Sequence, residues 1–164
     1  MTLDGTAKGA RDLLRHTLAT VAYRGAKVLR DAPDSFASFR ASETTRTPAQ
    51  ILAHLGDLFD WALSMAKGQP AWHDSKPLPW HDEVLRFFTA LRKFDEYLDG
   101  PEPLHESPEK LFQGPVADSL THIGQLAMLR RMAGAPIKGE NYHMAAISIG
   151  RVGPDQPAPN REFD

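Results

Sequence analysis

Apolar residues recur at helical spacing in four segments of the chain. In the first, from about Ala7 to Arg30, Leu14, Leu18, Val21, Gly25 and Val28 share one face. In the second, Ile51, Leu55, Leu58, Trp61, Ala62 and Met65 define the apolar face. This helix has the clearest start in the sequence, T-P-A-Q. Thr47 suits the N-cap, Pro48 the first helical position, and Gln50 can close a capping box. It is expected to stop near Lys67, with Gly68 beyond its end. The third segment, His81 to Leu98, carries a broad stripe of Val84, Phe87, Phe88, Leu91, Phe94 and Leu98, and Gly100 and Pro101 end it. The fourth starts as a short turn at Ser107, Pro108 and Glu109, is expected to break at Gly114-Pro115, and continues from Pro115 to Ala133.

Four amphipathic helices predict an all-α protein, a four-helix bundle over about residues 5–135. The connections are long, so a plain up-down-up-down order is not assumed. One of them, GQPAWHDSKPLPW, holds three prolines and two tryptophans. The tail, about 136–164, reads as irregular, with AAISI a candidate for a short extended piece laid over the bundle. The whole chain, 1–164, is expected to form one domain.

Three polar side chains fall on faces that should be buried. At about 100° per residue, His54 points between Leu58 and Trp61, inside the apolar stripe of the second helix. Asp57 and Asp60 turn progressively outward, as a solvated edge. On the last helix Asp118 and His122 stand one turn apart beside Leu120, Ile123 and Leu126. The Asp118–His122 pair is either a polar contact tolerated by the core or half of a site. With His54 it would make a facial set of two histidines and one carboxylate, which suits zinc, iron(II), nickel or manganese and leaves positions open. Of His16, His73, His81, His105 and His143, most are expected at the surface, and His143 is the one that matters if the tail covers a pocket.

Charge and composition narrow the chemistry. Nineteen basic against 21 acidic residues give a formal charge of −2, and no helix shows a basic face. Nucleic acid is therefore not expected as a partner. With no cysteine, disulfides, thiolate ligands and a cysteine nucleophile are excluded. No window approaches the roughly 20 apolar residues of a membrane span, and the N-terminus does not read as a secretory signal, so a cytoplasmic protein is expected. No phosphate-binding glycine loop, Ser/His/Asp signature or H-E-x-x-H is present.

Two segments, in this order, resemble the DinB/YfiT-like superfamily: TPAQILAHLGDLFDWAL, and DSLTHIGQLAMLRRMAG, where a histidine is followed by Gly-Gln and then Leu-Arg. The resemblance spans roughly residues 5–135 and implies a four-helix bundle with a divalent metal near one end of its core. That family takes one histidine from the second helix and two, four residues apart, from the last. Carried over, these fall on His54, on His122 and on Asp118, which departs from the family's histidine. Asp118 is then a carboxylate ligand to the metal, or a hydrogen-bond acceptor that orients His122.

The resemblance further implies a metal-dependent enzyme acting on a small-molecule substrate, an S-transferase using a low-molecular-weight thiol or a hydrolase. Acid–base help would come from Asp57, or from Tyr142 or His143 if the tail folds over the site, and Gln125 could orient a ligand. The competing expectation is a non-catalytic homodimeric interaction module. In it His54, Asp118 and His122 form a satisfied polar cluster, and the phenylalanine stripe of the third helix serves the interface.

Overall fold

A computed structural model describes residues 3–164, with side chains from Lys8 onward. Four long helices carry the fold: α1 (Leu3–Leu29), α2 (Pro48–Ala66), α3 (Trp80–Asp99) and α5 (Ala117–Met132), the last preceded by the one-turn α4 (Pro108–Leu111). Apart from a pair of two-residue strands, no sheet occurs among the described residues. The protein is all-α, with helix ends within a few residues of the periodicity.

Local chemistry explains those ends. The Thr47 hydroxyl accepts the Gln50 N–H at 3.2 Å while Gln50 Oε1 accepts the Thr47 N–H at 2.9 Å, a complete capping box with Pro48 at the first position. Gly68 then takes a left-handed φ of 74°, which stops α2. Thr47→Ala removes an acceptor that no other residue replaces. It should lower stability by about 1 kcal/mol, read as a small drop in urea midpoint; an unchanged midpoint would show that the cap contributes nothing.

Packing closes the four helices into a ring. α1 lies against α3 and α5, and α2 lies against α3 and α5, so the order around the core is α1–α3–α2–α5. Leu18, Leu52, Leu55, Phe59, Leu91 and Leu126 fill the centre together with Phe87, Phe88 and Phe94, all essentially inaccessible. This corrects one expectation: the phenylalanine stripe of α3 faces inward and is not available to a dimer interface. Trp80 is likewise not a loop aromatic. It starts α3 and sits edge-on to Phe36, ring centroids 5.8 Å apart.

Two irregular features depart from the sequence reading. The expected break at Gly114-Pro115 is a π turn over Phe112–Val116 that joins α4 to α5 in helical conformation. A wider turn tolerates proline's missing N–H, so the chain is offset and does not stop. In the tail, Gly139–Glu140 (β1) pairs antiparallel with Glu162–Phe163 (β2), and Ala145–Ile149 forms no strand. The buried Glu140 carboxylate anchors this unit to α1, accepting from the Tyr23 hydroxyl at 2.6 Å and from Lys27 Nζ at 2.7 Å. Tyr142 packs edge-on against Tyr23, under the Arg24 guanidinium.

Candidate metal centre

The seam between α2 and α5 holds the three residues singled out by periodicity. The phase set by the capping box aims His54 at α5, where Asp118 and His122 stand one turn apart. His54 Nε2 lies 3.6 Å and His122 Nε2 3.5 Å from Asp118 Oδ2. The imidazole rings meet edge to face, 4.7 Å between centroids. One donor atom from each residue falls within a common 4.8 Å. The side chains are 20 % (His54), 13 % (His122) and 45 % (Asp118) exposed, so the carboxylate is the outermost of the three.

These separations are too long for good hydrogen bonds. Asp118 is therefore not placed as the simple acceptor for His122 that one reading of the sequence allowed. His122 has another partner: its Nδ1 lies 2.8 Å from Gln125 Oε1. With that oxygen as acceptor, the ring proton sits on Nδ1 and Nε2 turns a lone pair toward Asp118 and His54. Burial holds the His54 pKa below the ordinary imidazole value, helped by the charges of His122 and Arg46 and opposed by Asp118. His54 is thus neutral near pH 7, the form that can donate a lone pair.

The tryptophan loop covers one side. Trp72 sets its edge against the His54 ring at 5.6 Å and against Trp61 at 5.7 Å. What holds this loop down is Asp57, which the periodicity had placed on a solvated edge. Asp57 is 2 % exposed. It accepts from the Ser75 N–H at 2.8 Å, from the Ser75 hydroxyl at 2.7 Å, and from Arg86 of α3. Arg86 crosses α2 at Gly56, where a Cβ would come within 3.0 Å of the guanidinium, and also reaches Asp60, Glu83 and the Ala53 carbonyl. An interior glycine in an otherwise good helix costs about 1 kcal/mol; here it was the signal for this close crossing.

Asp57, Asp60 and His73 also bring three donor atoms together. The Arg86 guanidinium already contacts both carboxylates there, so its charge stands where a cation's would. The cluster is a structural ion network, and Asp57 is engaged in it, not poised as an acid or base. Tyr142 and His143 do not reach the α2–α5 seam either: Tyr142 lies on α1, and no tail residue lines the cavity beside the imidazoles. His16, His73, His81, His105 and His143 are exposed.

That cavity, about 660 Å³, opens beside His54 and His122 and runs between Ile51 of α2 and Met128, Leu129 and Met132 of α5, with Arg46 and Gln125 at its polar part. Arg46 carried no sequence signal, because it precedes the helix and belongs to no periodic face. Among the described residues no helix is long and apolar enough to cross a membrane. No family model, curated protein or solved structure matches this chain.

Proposed function

We propose that His54, Asp118 and His122 bind a divalent transition metal, and that the chain is a metal-dependent enzyme on a four-helix bundle of the DinB/YfiT-like type. The observation that carries this is the convergence of three donors from two helices within 4.8 Å, without hydrogen bonds joining them. Two donors on one tetrahedral zinc lie about 3.3 Å apart, given its bond lengths. The two separations to Asp118, 3.5 and 3.6 Å, are close to that spacing, and the two imidazole donors lie within 4.8 Å of each other. Two imidazoles and a carboxylate are competent for zinc, iron(II), nickel or manganese. The closed order of four long helices supports the bundle type, with His54 on the second of them and His122 on the last.

When bound, such an ion acts as a Lewis acid toward water, or as an anchor for an incoming thiolate. The protein's own residues would do the rest. Gln125 fixes the tautomer and rotation of His122. Trp72 narrows solvent access to His54. Arg46 places a positive charge where an anionic small molecule or thiolate would enter. A thiol-dependent S-transfer or a hydrolysis would use the same arrangement.

The test is metal content. Untagged protein should carry a near-stoichiometric transition metal by plasma mass spectrometry. His54→Ala and His122→Ala should lose it while keeping the helical circular-dichroism spectrum. A wild type that stays metal-free after incubation with zinc, iron(II), nickel and manganese would sink the proposal.

A further inference from the structure

The cavity beside the imidazoles has two unlike walls. One is apolar. Met128 and Met132, one turn apart on α5, are 59 % and 54 % exposed, and they flank Leu129 opposite Ile51. Two large apolar side chains left in water on one face, beside a concavity, mark a surface that something covers. Methionine's unbranched thioether adapts to an irregular apolar guest. At 1.5 Å per residue, the wall from His122 to Met132 runs about 15 Å along the helix, the reach of a medium-length alkyl chain.

The other wall offers donors. Among the described residues no carboxylate pairs with the exposed Arg46, whereas Arg86 of α3 is held by Asp57, Asp60 and Glu83. Arg46 lines the same cavity as His54, His122 and Gln125. Gln125 uses its carbonyl oxygen on His122, which leaves the amide NH₂ as a donor. The Thr45 hydroxyl donates within its own turn, to the Ser42 carbonyl at 2.9 Å. A guanidinium and an amide NH₂, with no acceptor competing for them, complement an acceptor-only anionic head.

We propose that this cavity binds a monoanionic amphiphile: a carboxylate held by Arg46 and Gln125 beside the imidazole pair, with an apolar chain laid along Met128, Leu129 and Met132. As a substrate class, this rests on the metal-centre proposal; as a binding site, it does not depend on a metal.

The experiment is calorimetric titration of chelator-treated protein with octanoate and with 1-octanol. Octanoate should bind saturably, one per chain, and roughly tenfold or more tightly than octanol. Arg46→Gln should weaken octanoate by roughly tenfold and leave octanol unchanged. Met132→Glu should weaken both. Arg46 and Met132 are exposed, so neither change threatens the fold. No saturable octanoate binding, equal affinity for the alcohol, or an indifferent Arg46→Gln variant would overturn the assignment. Metal content of the same protein is read separately. Metal without octanoate binding refutes the ligand alone; octanoate binding without metal refutes the metal centre alone and upholds the binding site.

Discussion

Saturating zinc is expected to raise the unfolding free energy of the wild type by about 4 kcal/mol, at free ion roughly a thousandfold above Kd. For a chain of this size, that is a rise in Tm of about 10 °C. The gain follows from mass action, because the native state presents three donors at once and the unfolded chain does not. His54 and His122 come from different helices, far apart in sequence, and only the packing of α2 on α5 brings their rings to 4.7 Å. His122→Ala should lose nearly the whole gain. Gln125→Ala removes only the partner of His122 Nδ1. It should weaken zinc by about 10- to 100-fold, trimming the gain by roughly 1.4 to 2.8 kcal/mol. Thermal melts with zinc and with chelator read all three proteins. Superimposable wild-type melts in the two conditions would mean that the seam binds no zinc. A full gain in Gln125→Ala would mean that the amide does not orient the ring.

α2 was the most legible helix because it satisfies two independent signals. α2 has both a 3.6-residue stripe and a capping box, and the structure starts it at Pro48 as the box requires. Turning His54 and His122 toward the α2–α5 seam, with Asp118 at its outer edge, needed only phase, and phase survives small errors in helix ends. Asp57 was misplaced because phase describes one helix at a time. Its burial is created by Arg86 of α3 and Ser75 of the loop, partners invisible to a pattern read along α2. Gly114-Pro115 was read as a break because proline's cost was assigned to an α turn, whereas a π turn absorbs it. The cavity was out of reach for a similar reason. Met128 and Met132 look like the ragged end of an apolar stripe until the loop carrying Arg46 closes the other side.

Arg86→Ala is expected to destabilise the protein by about 3–5 kcal/mol, since removing one partner of a buried pair strands the other. Asp57 would keep its two bonds from Ser75 but lose the countercharge. Asp57→Ala in the same background should recover part of the loss, because the stranded charge goes with it. Acid gives a separate test. Burial alone would raise the Asp57 pKa; the Ser75 N–H, the Ser75 hydroxyl and Arg86 together overcome it and hold the carboxyl below the ordinary aspartate value. A carboxyl with a depressed native pKa binds its proton more readily when unfolded. Its contribution is therefore complete above the unfolded pKa, about 3.9, and is lost as pH falls through the lower native value. Wild-type stability should thus fall more steeply below about pH 4 than that of Asp57→Asn, which has no proton to bind there. Urea unfolding across this range decides it. Parallel curves would mean that Asp57 carries no acid-sensitive stability, whatever Arg86→Ala costs. A steeper wild-type curve would establish that the ion network, and with it the Ser75 anchor of the loop that sets Trp72 against His54, is held by a charge that acid removes.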